Sequence, residues 1–114
     1  MMRLATPDAR PAMDVLESEH GFTVRVEVPG IAPEKLDVQV DGDLLTIRGE
    51  MDQPADGERY HYRERRAGSF KRTLRLADTL DTQAIQATYQ NGLLTLDLPK
   101  TPKIEPKRIE VKIQ

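Results

Sequence analysis

Phe22-Thr23-Val24-Arg25-Val26-Glu27-Val28 places an apolar side chain at every even position and mostly polar ones between them. Neighbouring side chains of a strand point to opposite faces, so this run is a half-buried β-strand with one core face and one wet face. The alternation returns in Leu36-Asp37-Val38-Gln39-Val40, Leu45-Thr46-Ile47-Arg48, Phe70 to Leu76, Ile85 to Tyr89 and Leu94 to Leu98, and an initial strand is predicted over Ala12 to Leu16. Turn residues separate these runs: Pro29-Gly30, Asp41-Gly42-Asp43, and Asn91-Gly92, the strongest two-residue hairpin signal, before Pro99 ends the last run. No window supports a long amphipathic helix; Pro33-Glu34-Lys35 and Asp78 to Gln83 offer one turn each. Many short strands without crossover helices predict an antiparallel β-sandwich.

The 114 residues suffice for one domain with one modest core. Three parts are expected: a short N-terminal arm (1–10), the sandwich (11–99) and a C-terminal extension (100–114). Seventeen Lys and Arg against nineteen Asp and Glu give a net charge of -2, so no global field recruits nucleic acid or an anionic membrane. No apolar run approaches the roughly 18 residues of a membrane helix, and Met1 to Pro11 lacks the apolar stretch of a signal peptide. The expectation is a soluble cytoplasmic protein, in keeping with zero cysteines.

Catalysis finds no candidate site and no cofactor is expected. Ser18, Glu19 and His20 are adjacent, but adjacent residues on a strand diverge, so they read as a turn. Asp41-Gly42-Asp43 lacks the spacing and closing Glu of a calcium loop, and no glycine-rich phosphate cradle exists. His20 and His61 are too few and too far apart for zinc. The stretch Glu58 to Arg75 holds seven Arg or Lys and two Glu with Tyr60, Tyr62 and Phe70 interleaved, a composition like that of a single-strand nucleic-acid surface. The acidic balance of the domain argues against that use.

Several segments in order carry a family resemblance: Val28-Pro29-Gly30, Leu45-Thr46-Ile47-Arg48-Gly49-Glu50, Gly68-Ser69-Phe70-Lys71-Arg72, Ala87-Thr88-Tyr89-Gln90-Asn91-Gly92-Leu93-Leu94 and Pro106-Lys107-Arg108-Ile109-Glu110-Val111. Together they resemble the alpha-crystallin domain of small heat-shock proteins, in its bacterial and plant branch, over about residues 11 to 113. The resemblance implies an immunoglobulin-like sandwich acting as an ATP-independent holdase, which binds partly unfolded clients and is built from homodimers that assemble further. CS-type co-chaperone adaptors share such a sandwich but typically lack the long loop and the Ile-x-Val tail; they are the alternative, followed by a single-strand nucleic-acid-binding module.

Three elements follow. In the tail, Ile109, Val111 and Ile113 share one face of an extended strand, beyond a segment containing Pro102 and Pro106. That face is expected to be a hook for a neighbouring subunit, with a final strand of the same domain as the alternative. By resemblance, its groove lies between Val38 and Val40 on one edge and Ile85 and Ala87 on the other, a surface also suited to client. The polar excursion from Met51 to Gly68 puts Tyr60 and Tyr62 on one side of an extended run; by resemblance it pairs with the partner's first strand, including Ala12 and Val15, with a solvated loop folding back on its own domain as the alternative. Arg72 has the strand parity of Phe70, Leu74 and Leu76, and a guanidinium on an apolar face needs carboxylates or carbonyls. The resemblance assigns it to the dimer interface.

Overall fold

Among the described residues seven strands form where the alternation predicts them, and their inward faces are mostly the apolar positions of each run. The computed structural model describes residues 11–51, 55–65, 68–102 and 108–113. The strands are β1 (Met13–Ser18), β2 (Gly21–Glu27), β3 (Leu36–Asp41), β4 (Leu44–Glu50), β5 (Ser69–Arg75), β6 (Gln86–Gln90) and β7 (Leu93–Pro99). Short 3-10 turns occupy Pro33–Lys35 and Thr82–Ala84, the two places where the sequence offers a single helical turn.

The strands divide into two antiparallel sheets, β1-β2-β7-β6 and β3-β4-β5. Register sets the core. In the first sheet Val24 pairs with Leu96 and Val26 with Leu94; in the second Val40, Leu45 and Leu74 form one row, and Leu36, Gly49 and Phe70 another. Side chains of directly opposed residues share a face, so each row presents its apolar groups to the facing sheet. Val24, Val26, Leu45, Ile47 and Leu96 are fully buried there, joined by Val28, Ile31, Phe70, Leu76, Leu80, Leu94 and Leu98.

Local chemistry pins these registers. Asn91 and Gly92 both have positive φ, 54° and 76°, the conformation a two-residue hairpin turn demands and the reason this dipeptide stands there. Gly49 faces the Phe70 ring so closely that an added Cβ would overlap it, which lets the aromatic side chain lie flat across β4. Asp43 and Arg75 form an ion pair at 2.7 Å, joining the β3–β4 turn to the end of β5. Past β7, the Lys100 N–H donates to His20 O at 2.9 Å and the Thr101 N–H to Thr79 O at 2.6 Å, so the sandwich holds the chain slightly beyond the expected boundary at 99.

Candidate functional site

The outer strands of each sheet have one neighbour instead of two. β3 and β6 are edges of different sheets, and Tyr89 of β6 ties them together by donating its hydroxyl hydrogen to Ile31 O, in the connection leading to β3, at 3.0 Å. On these edges the apolar side chains are incompletely covered. Val38, Val40 and Ile85 are half-buried against the core, and Ala87 is exposed although its register partner Leu96 is fully buried. All four expected groove residues thus lie on or beside free edges, with backbone groups open to another strand. Ile85 precedes β6, where it caps the second 3-10 turn.

The tail supplies a matching apolar surface. Ile109, Val111 and Ile113 are 79%, 86% and 98% exposed, and residues 108–113 join neither sheet, so the alternative of a final strand in the same domain does not hold within this chain. Apolar side chains left this open at period two suit insertion into an apolar groove elsewhere.

The excursion between β4 and β5 is closed at its neck, where the Met51 N–H donates to Gly68 O at 3.0 Å. Its described part, 55–65, contains a turn at Asp56-Gly57 and no strand. An extended run becomes a strand only with a partner, and the described residues provide none here. Tyr60 and Tyr62 are 54% and 58% exposed. Arg63 lies 4.7 Å from the centre of the Tyr60 ring, and the Tyr62 hydroxyl donates to Glu64 Oε1, which holds the Tyr62 pKa above its usual range.

β1, the edge to which the loop was expected to pair, is also open. Val15 is 52% exposed opposite fully buried Val24, and Ala12 lies just before the strand, its carbonyl accepting from Glu27 N–H at 3.0 Å. Arg72 takes the inward parity expected of it, in one row with Val38 and Ile47, but is half-buried instead of enclosed. No carboxylate pairs with it among the described residues. β5 is an outer strand of its sheet, and half-buried Arg72 keeps access to solvent there.

Among the described residues no three His, Asp or Glu side chains come together in a way that would hold a metal ion, and no helix is long and apolar enough to cross a membrane. Sequence reasoning missed the Tyr89–Ile31 hydrogen bond and the Gly49 cradle. Both join residues distant in the chain and leave no periodic signal.

The model of the Hsp20/alpha crystallin family matches residues 14–114. Small heat shock protein C2 of Rickettsia felis is 36% identical over 104 residues, covering 90% of this chain and 68% of that relative, and spore protein SP21 of Stigmatella aurantiaca is 34% identical over 96% of this chain and 66% of its own length. The chain thus spans about two thirds of the length of these curated relatives. Among solved structures, a small heat-shock protein from Xylella fastidiosa superimposes with a TM-score of 0.79 at 33% identity, covering 90% of this chain and 96% of that one. Heat shock protein 16.0 of Schizosaccharomyces pombe gives 0.74 at 36% identity, covering 92% and 98%. Neither the CS-type adaptor nor the nucleic-acid-binding alternative finds support in these likenesses.

Proposed function

This chain belongs to the Hsp20/alpha crystallin family of small heat-shock proteins, and we propose that it is an ATP-independent holdase: it captures partly unfolded proteins through exposed apolar surface and limits their aggregation without turnover. The observation that carries this is the pair of free strand edges bearing Val38, Val40, Ile85 and Ala87. An unfolded chain offers apolar side chains and unpaired backbone groups, and such edges complement both.

The same surface serves assembly. The tail hook of one subunit occupies the groove of another, and burying two aliphatic knobs contributes about 3 to 6 kcal/mol before ordering costs. That magnitude gives a contact that exchanges, so the groove is repeatedly vacated for client. Dimers form by exchange of the 51–68 loop onto the partner's β1, with Tyr60, Tyr62, Arg72, Ala12 and Val15 at the interface. The exposure of both tyrosines and of Val15 supports this arrangement. The cysteine-free composition favours the cytoplasm as the place of action.

The test is light scattering of a heat-aggregating client with and without the protein, and with and without ATP. Suppression that rises with the chaperone-to-client ratio and ignores ATP is expected. Undiminished scattering at molar excess overturns the reading.

A further inference from the structure

Asn91 is the only asparagine in the chain, and Gly92 follows it. The pair forms the turn of the β6–β7 hairpin, with φ of 54° and 76°. The Asn91 side chain is exposed, and among the described residues no hydrogen bond engages its amide or the Gly92 N–H. A carboxamide carbon open to attack and an amide nitrogen able to attack it thus lie next to each other. Gly92 has no Cβ to obstruct their approach.

We propose that Asn91 is a self-modification site, converted slowly to aspartate and isoaspartate in the folded protein, and that the isoaspartate form unfastens the end of β6. This goes beyond the holdase reading and does not depend on it. In the first step the Gly92 nitrogen attacks Cγ of Asn91. The N–Cγ bond forms, the Cγ–Nδ2 bond breaks, and Nδ2 leaves as ammonia with the proton from the Gly92 N–H, closing a succinimide ring. Water then opens the ring. Attack at Cγ restores the ordinary backbone and leaves aspartate; attack at the main-chain carbonyl carbon routes the chain through Cβ and Cγ and leaves isoaspartate. Water is consumed and ammonia released mole for mole, and nothing is oxidised or reduced.

Isoaspartate adds a methylene to the backbone. A two-residue hairpin turn leaves no room for it, since the fit of the turn to the strands depends on both central residues holding left-handed φ. Gly92 is the fixed side of the turn: its carbonyl accepts from the Val28 N–H at 2.7 Å, and an added Cβ would stand 3.2 Å from Pro29 Cα. β7 beyond it is held between β2 and β6. β6 is the weaker side, with five residues and β7 as its one neighbour among the described residues. The misfit therefore falls on Gln90 and Tyr89, and with them on the 3.0 Å hydrogen bond from the Tyr89 hydroxyl to Ile31 O. The aspartate form keeps the ordinary backbone, and Asp-Gly is itself a favoured pair for this turn.

Full-length protein is held at mildly alkaline pH below its unfolding temperature and sampled over weeks. Peptide mass mapping reads loss of the Asn91 amide, enzymatic methylation of isoaspartate reads the product, and hydrogen exchange reads the β6 amides that bond β7. Asn91→Gly keeps a turn-compatible pair without the reactive amide, and fresh Asn91→Asp supplies the charge without the methylene. Expected are conversion in the folded parent, isoaspartate at position 91, and exchange in β6 faster by roughly five- to tenfold, the change that goes with losing one hydrogen bond. Aged Asn91→Gly and fresh Asn91→Asp should exchange like the fresh parent. An Asn91 amide that survives in the folded protein overturns the site. Conversion to aspartate alone, conversion with unchanged exchange, or equal acceleration in aged Asn91→Gly overturns the consequence for β6. Acceleration in fresh Asn91→Asp transfers the effect from the methylene to the charge and overturns the backbone account.

Discussion

Residues 24–28 and 109–113 carry the same kind of apolar alternation and meet opposite fates. In β2 it is sealed on both flanks by β1 and β7 and covered by the facing sheet, so Val24 and Val26 are fully buried; in the tail, Ile109, Val111 and Ile113 stand in solvent. Period two specifies that a strand has an apolar face and says nothing about who covers it. In β2 the cover comes from the same chain: the turn at 19–20 returns the chain from β1, and β7, which the turn at 91–92 joins to β6, pairs along the other flank. Beyond Thr101 no described backbone hydrogen bond holds the tail to the sandwich, and the proposed hook gives its apolar side chains a cover on another molecule. The same pattern stabilises the fold in one place and, in the proposed reading, supports assembly in the other.

The sharpest break in this comparison is a matched pair of truncations. Leu96→Ala removes a fully buried side chain from β7 and should cost about 2–5 kcal/mol of unfolding free energy. Ile109→Ala with Val111→Ala should leave unfolding of the isolated domain within about 0.5 kcal/mol while reducing larger assemblies to dimers. Chemical denaturation and mass measurement at equal concentration read the two effects. A tail variant as destabilised as the core variant would mean that the tail is a strand of its own domain.

Next in size is Gly49→Ala. The methyl group would meet the ring of Phe70 and come within 3.1 Å of Leu36 Cδ2, so a buried aromatic must move, at about 1–3 kcal/mol. A midpoint unchanged from the parent protein would show that the β4–β5 face is looser than the core it belongs to.

These sites also mark where sequence reading succeeds and where it stops. The strands, the Asn91-Gly92 turn and the inward parity of Arg72 were legible because each depends on a few consecutive residues. The Gly49 cradle, the Asp43–Arg75 ion pair and the Tyr89–Ile31 hydrogen bond were not, because each joins residues that only the completed sheets bring together. For Arg72, parity identified the face correctly but left a buried and an interface charge both open, since period alone does not reveal that β5 is an outer strand. The aromatic loop was expected to be extended and strand-like, and the single chain leaves it unpaired for want of a partner.

Arg72 tests that distinction between a sealed face and an edge. With no carboxylate paired to it among the described residues, Arg72→Ala strands no described buried charge, so its unfolding free energy should fall within about 1 kcal/mol of that of Lys71→Ala. Its size distribution should nonetheless change where Lys71→Ala and Arg75→Ala do not, with Arg72→Lys restoring it only in part because the planar fork is lost. Equal size profiles for all three alanine variants would remove Arg72 from the interface.

The smallest effect lies in the loop. The Tyr62 hydroxyl donates to the Glu64 carboxylate, and that bond, more than burial, raises the Tyr62 pKa above the ordinary tyrosine value. A pKa raised by folding means that the interaction is present in full below the ordinary value and is lost as pH climbs through the raised one. In ultraviolet titration of the dimer-free protein, Tyr62 should ionise at higher pH than it does in Glu64→Gln, where no carboxylate remains beside the hydroxyl. If the loop exchanges onto a partner's β1, burial at the new interface adds to the shift, and Tyr62 should stay raised in assembled Glu64→Gln protein. A Tyr62 that titrates identically in assembled and dissociated Glu64→Gln would place this ring outside the contact and move the dimer interface away from the loop tip.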